Sequence, residues 1–212
     1  PEGGFYSAED ADSEDVEGKY YVWSPEEITT ICGADADEVL QHYGVTDEAN
    51  FEDPHTGFRG SILHVVDPTG SRTPGIERGR AALLAARDHR VRPGLDDKVL
   101  LAWNALFCRS LAEAASAFER DDWMDMARTN ASFLLRAMRR DDGRLVRSFQ
   151  GTRASDVLAY GEEYAALLHA LVTLAEVDDV AWLDDARSVA DGLDELFADH
   201  DQGGIFTTGQ DA

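Results

Sequence analysis

Acidic side chains stand close to the beginnings of two strongly apolar segments of the sequence. Asp97 and Lys98 begin the first segment, and Glu162, Glu163 and Tyr164 begin the second. Paired carboxylates in such positions can transfer protons or act together in glycoside hydrolysis. Acids are also favoured at helix N-termini as caps and for electrostatic reasons, but a lysine there opposes the helix dipole. The pattern therefore predicts Asp97, Lys98 and Glu163 as candidate catalytic residues, with capping as the alternative.

A second set of residues has the chemistry to bind a sugar near those groups. Asn104 lies two helical turns after Asp97, so both can face one side of a helix. Tryptophan rings can stack on a sugar, whereas His64 is more readily explained as a core histidine and Asp12 as part of a solvated acidic turn. The predicted substrate-binding residues are Asp12, Trp23, His64, Trp103, Asn104, Glu162 and Tyr164.

The sequence predicts neither a metal site nor a cofactor. Residues 10–14 resemble the opening of a calcium loop, but Asp15 occupies the position of the required glycine and Tyr21 that of the bidentate glutamate. No glycine-rich phosphate loop, nucleophile elbow or paired-histidine motif is present. Cys32 and Cys108 lack a CxxC spacing, which predicts reduced structural thiols and a cytoplasmic location.

Two pairs of helices are predicted to position these groups. Residues 98–118 are apolar nearly all round, which is typical of a helix buried on most sides, whereas residues 122–140 have one apolar stripe and a polar face. The same order recurs in residues 164–175 and 182–196. The sequence therefore predicts two hairpins, each with a buried helix followed by a half-buried one.

A repeat of about sixty residues coincides with this alternation. A Trp-x-x-x-Ala-Arg pattern at residues 123–128 recurs at 182–187, and an acidic glycine turn precedes a β-prone run at 141–146 and again at 201–206. Residues 3–7 resemble a third copy of that turn. Buried helices need amphipathic partners around them, which concentric rings provide better than a linear solenoid. The predicted fold is mainly all-α, part of an α/α toroid of antiparallel helix hairpins with short β-hairpin turns.

Residues 1–92 are less regular, and we predict a β-hairpin and short-helix part of the same barrel there, with the two helix pairs in residues 93–212. Ser24 and Pro25 make a helix start, with Ser24 as N-cap and Pro25 at the first helical position. Strands are expected at 19–23 and 62–66, and helices at 39–43 and 77–86.

The charge of the chain is unusually negative. The net charge is −23, and Lys19 and Lys98 are the only lysines. Such a surface is typical of adaptation to high salt, with an ordinary acidic cytosolic protein as the alternative. The shortage of basic residues argues against nucleic acid as a partner, and the arginines in residues 136–147 are explained by favourable placement near a helix C-terminus. No apolar run is long enough to span a membrane, and no secretory signal is visible.

Several stretches together resemble one protein family. Residues 4–13, 17–23, 43–46, 50–52, 62–64, 96–100 and 103–104 are similar to signature sequences of the YyaL-like family of thioredoxin-domain-containing proteins, which is also called the spermatogenesis-associated protein 20 family. Two departures stand near the candidate site. The family tends to have Leu-Asp-Asp-Tyr-Ala where residues 160–165 read Tyr-Gly-Glu-Glu-Tyr-Ala, and Ala105 replaces a glycine.

The resemblance implies an N-terminal thioredoxin-like domain followed by a six-hairpin (α/α)6 barrel like that of N-acylglucosamine 2-epimerases. This chain resembles the middle of such a protein, without the thioredoxin-like domain and the last part of the barrel. The expected function is that of a carbohydrate-active domain, an epimerase, isomerase or hydrolase, whose partners are a small sugar substrate and the covalently attached thioredoxin-like domain. The alternative is a non-catalytic binding or scaffold domain serving that thioredoxin-like domain.

Overall fold

The computed structural model describes residues 3–211, and these form two compact units. Unit 2 comprises residues 9–95, and unit 1 comprises residues 3–8 and 96–211. The division thus falls at residues 95 and 96, and the glycine-rich segment at the chain start belongs with the helix pairs. No helix of the described residues is both long and apolar enough to cross a membrane.

Unit 2 is built on three short helices that pack on one another around a small core. Ile28, Val39 and Leu83 supply one side chain from each helix to this core. Its elements, with the boundary strands β1 and β6, are β1 (Ala8–Glu9), β2 (Asp12–Ser13), β3 (Val16–Glu17), α1 (Pro25–Cys32), a 3-10 turn (Gly33–Asp35), α2 (Ala36–His42), β4 (Phe51–Glu52), β5 (Arg59–Gly60), α3 (Pro74–Arg87) and β6 (Leu95–Asp96). Strands β2 and β3 form one antiparallel pair, and β4 and β5 form another.

The predicted start of α1 is confirmed. The Glu27 N–H donates to Ser24 Oγ at 3.1 Å, the Ser24 N–H donates to Glu27 Oε2 at 2.9 Å, and Pro25 is the first helical residue. These reciprocal bonds satisfy backbone donors that the first helical turn leaves free. The helices predicted at 39–43 and 77–86 are also present, as α2 and the longer α3.

The two strands predicted in unit 2 are wrong. Residues 19–21 form a turn, and Trp23 makes only an isolated bridge to Ser61. The carbonyls of Lys19, Tyr20 and Val22 instead accept hydrogen bonds from Arg90 Nη1. The conformation of this β-prone run is therefore set by a guanidinium that is distant in the sequence. Residues 62–66 are irregular.

Unit 1 contains the two predicted helix pairs, which are confirmed. Helix α4 packs against α5 and α6, and α6 packs against α7, so that α4 and α6 form the inner contact and α5 and α7 flank it. The elements are β7 (Val99–Leu100), α4 (Leu101–Phe118), α5 (Asp121–Ala137), β8 (Ser148–Gln150), β9 (Arg153–Ala154), α6 (Gly161–Val177) and α7 (Trp182–Phe197). Helix α4 begins three residues later than predicted because Val99 and Leu100 pair with β8.

The repeated turns also have matching structures. Arg139 and Leu145 form an isolated antiparallel β-bridge after α5, and Ala198 and Ile205 form the equivalent β-bridge after α7. A glycine with positive φ lies in each turn, at +87° for Gly143 and +77° for Gly203, a backbone conformation that disfavours other residues. The mainly helical fold class, with antiparallel α/α hairpins joined by short β-turns as in a toroid, is thus confirmed.

One side of α4 departs from the expectation of a helix buried on most sides. Trp103 is 57% exposed, and Leu106 and Phe107 on the same side are also exposed. The opposite side carries Ala105, Cys108 and other buried residues of the core. Helices α5 and α6 cover that opposite side, which leaves an aromatic stripe of α4 accessible.

Candidate functional site

The segment around β8 joins the beginnings of the two inner helices. The Leu101 N–H, at the start of α4, donates to the Arg147 carbonyl at 3.0 Å, and Val99 pairs with Phe149. The guanidinium of the same Arg147 reaches Glu163 at the start of α6. Two side-chain contacts flank this segment, Arg147 with Glu162 and Glu163 and Gln150 with Asp97. We call these five side chains the helix-start cluster: Asp97, Arg147, Gln150, Glu162 and Glu163.

Glu163 is the buried member of the helix-start cluster. Its side chain is 2% exposed, and Oε1 accepts from Arg147 Nε at 2.9 Å. Oε2 accepts from the Tyr160 N–H at 2.7 Å, and the Arg147 guanidinium lies 4.5 Å from the centroid of the Tyr160 ring. A buried carboxylate with a charge partner and a backbone donor is held in one orientation. Glu163 therefore caps α6 and fixes Arg147.

Glu162 presents a carboxylate to solvent at the same place. Its side chain is 62% exposed, and Arg147 Nη2 lies 3.4 Å from Oε1. An exposed ion pair of this length is weak, so the carboxylate can exchange its partner at little cost. Of the two predicted glutamates, Glu162 is the one that can reach a ligand.

Asp97 and Lys98 lie in the loop between β6 and β7 rather than on a helix. Gln150 Nε2 donates to Asp97 Oδ1 at 2.7 Å, which places Asp97 in the helix-start cluster. Lys98 Nζ lies 3.2 Å from Asp96 Oδ2, and the Lys98 N–H donates to Asp96 Oδ1. Desolvation acts to raise the pKa of Asp96, but these contacts with Lys98 outweigh it and hold the pKa below its usual value. Lys98 thus neutralises the charge of Asp96.

Asn104 is buried in a network that holds the chain start. Its Oδ1 accepts from the Phe5 N–H at 2.8 Å, and its Nδ2 donates to the carbonyls of Phe5 and Leu100. Asn130 Nδ2 donates to Asn104 Oδ1 at 3.0 Å and to the Gly3 carbonyl at 2.7 Å. Both asparagines are therefore engaged in tying residues 3–5 to α4 and α5.

Trp103 lies in the first turn of α4, on its exposed aromatic stripe. Phe107, one turn later, packs edge-on against Phe5 with ring centroids 4.7 Å apart. Tyr164, by contrast, is buried, and its hydroxyl accepts from Arg144 Nη1 and the Leu145 N–H, both at 3.1 Å. Trp103 is the predicted residue that offers an open aromatic surface, and Tyr164 supports the turn after α5.

The remaining predicted residues belong to unit 2. Asp12 is exposed in β2 opposite Glu17. Trp23 is buried, with the Arg90 guanidinium 3.9 Å from its ring centroid. His64 is exposed rather than in the core, and its ring packs against Gly44 so closely that an added Cβ there would lie 2.5 Å from Cε1.

Arg147 and Gln150 are the two members of the helix-start cluster that sequence reasoning missed. Arg147 was grouped with basic residues near a helix C-terminus, yet it lies ten residues beyond the end of α5. Its position in a β-prone run before a Glu-Glu pair was the available signal. Gln150 had no comparable signal, because its partner Asp97 lies 53 positions away.

Neither the cysteines nor the acidic residues form a metal site in residues 3–211. Cys32 and Cys108 are both free thiols. Burial raises the pKa of the Cys108 thiol to about 12, so it stays protonated and unreactive at neutral pH.

Comparison with known proteins identifies relatives over nearly the whole chain. Spermatogenesis-associated protein 20 is 32% identical in Homo sapiens over 244 aligned positions and 32% identical in Mus musculus over 245, in each case with 96% of this chain and 31% of the relative. An uncharacterized protein of Caenorhabditis elegans is 29% identical over 82% of this chain and 28% of its own length. This chain thus spans less than a third of these relatives. No family model matches it.

Among solved structures, cellobiose 2-epimerase from Bacillus thermoamylovorans B4167 is similar with a TM-score of 0.48 and 12% sequence identity. The similarity covers 92% of this chain and 54% of the epimerase.

Proposed function

This chain belongs to the spermatogenesis-associated protein 20 family, and we propose that the part of the family it spans binds a carbohydrate at the helix-start cluster of a sugar-converting domain. The observation that carries this proposal is Trp103, a largely exposed tryptophan in the first turn of α4, the helix that follows Asp97 in the chain. An aromatic face and carboxylates are the groups that suit a polyhydroxylated ring, because the ring has apolar C–H faces and hydroxyl donors at its edge.

The proposed roles differ among the members of the helix-start cluster. Trp103 stacks on the sugar, and Glu162 accepts its hydroxyl groups or transfers a proton during epimerisation, isomerisation or hydrolysis. Asp97, oriented by Gln150, is the second carboxylate. Arg147 and Glu163 are positioning residues, since their mutual ion pair fixes the start of α6.

A scaffold function is the second candidate, and a specific observation favours it. Asn104, Glu163 and Lys98 are each engaged by neighbouring protein groups, which is what structural residues do. In this alternative the chain supports the thioredoxin-like domain that the family resemblance implies, and Trp103 contacts protein instead of sugar. In either case the acidic surface argues against nucleic acid as a partner.

A binding screen on the full-length protein tests the proposal. Reducing sugars and aminosugars are titrated by calorimetry against the wild type, Trp103→Ala and Phe118→Ala. Phe118 is a matched control because it is 70% exposed at the other end of α4. We expect Trp103→Ala to weaken sugar binding by about tenfold, which corresponds to about 1.4 kcal/mol of stacking. Phe118→Ala should bind as the wild type does.

Two results would count against the carbohydrate function. Absence of saturable binding by any sugar would favour the scaffold alternative, as would a Trp103→Ala variant that binds normally. Turnover of a bound sugar by the wild type is then compared with turnover by Asp97→Asn. Turnover that survives this substitution would remove Asp97 from the proposed mechanism.

A further inference from the structure

Unit 2 contains a cleft that the proposed carbohydrate site does not use. The cleft has a volume of about 560 Å³ and lies entirely within residues 13–91. This size is within the range of pockets that enclose a small organic molecule. Its lining comes from the β2–β3 hairpin, the chain before α1 and the first turn of that helix, Phe58 and Arg59 at the start of β5, and the segment after α3.

The lining of this cleft combines apolar and basic side chains with two acidic ones, Glu14 and Glu27. Val22 and Trp23 are buried lining residues, and Phe58 and Val91 add apolar surface. The basic lining residues are Lys19, Arg59, His89 and Arg90. This grouping is notable in a chain with 19 basic and 42 acidic residues, one of whose two lysines lies here.

Arg90 forms a fixed wall of the cleft. Its Nη1 donates to three backbone carbonyls, its Nη2 lies 2.9 Å from Glu27 Oε1, and its guanidinium stacks on Trp23. A guanidinium with this many partners is held rigidly and keeps the Trp23 ring in place. The cleft is therefore formed before any ligand arrives, which lowers the entropic cost of binding.

Lys19 and Arg59 are, in contrast, available to a new anion. Lys19 pairs with Glu14 at 2.8 Å and Arg59 with Glu52 at 3.3 Å, and all four side chains are at least 40% exposed. Exposed ion pairs of this kind contribute little free energy, so a ligand carboxylate can replace either partner at small cost.

The turn that carries Glu14 places this residue in the lining of the cleft. Glu14 and Asp15 both have positive φ, +54° and +61°, in the two-residue loop between β2 and β3. That loop type favours Asn-Gly, and a non-glycine residue in this conformation is under strain. This turn holds Glu14 beside Lys19 at the cleft.

We infer that this cleft binds a small amphipathic carboxylate whose aromatic or branched apolar body lies on Val22, Trp23 and Phe58 and whose anionic end pairs with Lys19 and Arg59. A carboxylate fits better than a neutral compound because the three cationic lining residues, Lys19, Arg59 and Arg90, outnumber the two lining carboxylates, Glu14 and Glu27. The cleft shares no residue with the helix-start cluster, and the inference does not depend on the sugar proposal.

Fluorine NMR on the full-length protein tests this inference. The probes are 4-(trifluoromethyl)phenylacetate and its neutral amide, which differ in charge but hardly in shape, at an ionic strength of about 0.15 M, where the Debye length of about 8 Å exceeds contact distances. We expect the acid to bind with a Kd about tenfold lower than that of the amide. The double variant Lys19→Gln, Arg59→Gln should bind both probes equally, whereas Phe58→Ala should weaken both.

The matched control is the double variant Arg72→Gln, Arg80→Gln, which removes the same charge from unit 2 at two exposed arginines that pair with Glu77. It should keep the preference for the acid. The inference is overturned if the wild type binds acid and amide equally, if neither probe saturates, or if the control variant loses the preference as fully as the cleft variant does.

Discussion

Arg128 in α5 and Asp178 at the end of α6 form a bidentate ion pair between the two helix pairs. Arg128 Nε donates to both carboxylate oxygens of Asp178, at 3.0 and 3.1 Å, and Nη2 donates as well. Trp182 Nε1 donates to Asp178 Oδ2 at 3.1 Å. The Asp178 side chain is only 8% exposed, so its charge depends on these donors.

The repeat supplies a matched test of this ion pair. Arg187 occupies the position equivalent to Arg128, but it pairs with Asp184 on its own helix, and both side chains are highly exposed. Asp178→Ala should lower the free energy of unfolding by about 1.5–3 kcal/mol, the usual contribution of hydrogen bonds to a charged group. Asp184→Ala removes the same charge and should leave stability almost unchanged. Urea denaturation measures both, and equal losses would show that the inter-helix pair has no special weight.

The pH dependence of stability should report the same carboxylate. Hydrogen bonding by Arg128 outweighs desolvation and lowers the pKa of Asp178. Because the folded pKa lies below the unfolded one, the stabilisation is complete above the unfolded value near 4 and is lost as pH falls through the folded pKa. The stability difference between the wild type and Asp178→Asn should therefore be full at pH 7 and shrink in acid. A difference that is constant from pH 7 to pH 3 would contradict this assignment.

Local signals in the sequence were sufficient for the helices and for the repeat. The apolar periodicity of α4 to α7 and the Ser24–Pro25 start of α1 depend on neighbours within a few residues, which is why they are predictable. The strand predicted at residues 19–23 is wrong for the opposite reason, since the carbonyls of this run are bound by Arg90 some seventy positions away.

The same distinction between local and distant contacts explains which parts of the candidate site could be predicted. The acidic pairs before each inner helix were visible, but burial separates Glu163 from Glu162, and burial depends on packing. Arg147 and Gln150 enter the helix-start cluster through the pairing of β7 with β8, which joins residues about fifty positions apart. The sequence does not reveal that Asn104 is already hydrogen-bonded, because its partner Phe5 lies 99 positions away. For that reason Asn104 appeared suited to ligand binding.

Asn104 should therefore matter for stability. Asn104→Ala leaves the Phe5 N–H and two carbonyls without their partner, and we expect a loss of about 2–3 kcal/mol in the free energy of unfolding. Hydrogen exchange at the Phe5 amide should accelerate at the same time. Ser110→Ala, which removes only a hydroxyl bonded within α4, is the control. Unchanged exchange at Phe5 would mean that residues 3–5 are held by other contacts.

Salt should stabilise the protein if its acidic surface is an adaptation. With a net charge of −23, self-repulsion opposes the folded state until ions screen it. A screening gain of about 2 kcal/mol would raise the Tm by about 4–8 °C for a chain of this size. Melting is followed from low to molar KCl, with sucrose as a non-ionic control. A midpoint that does not rise with KCl would contradict the high-salt hypothesis.

The two glutamates at the start of α6 should separate stability from ligand binding. Glu163→Gln weakens a buried ion pair with Arg147, so we expect a loss of about 1.5–3 kcal/mol in unfolding free energy. Glu162→Gln alters only an exposed ion pair and should leave the unfolding midpoint unchanged. It should nevertheless weaken sugar binding by about tenfold, because hydroxyl donors bond more strongly to a carboxylate than to an amide. Denaturation and calorimetry on both variants decide the assignment. If Glu163→Gln folds normally and abolishes binding while Glu162→Gln has no effect, the buried residue is the functional one, and the assignment of Glu163 as a positioning residue is wrong.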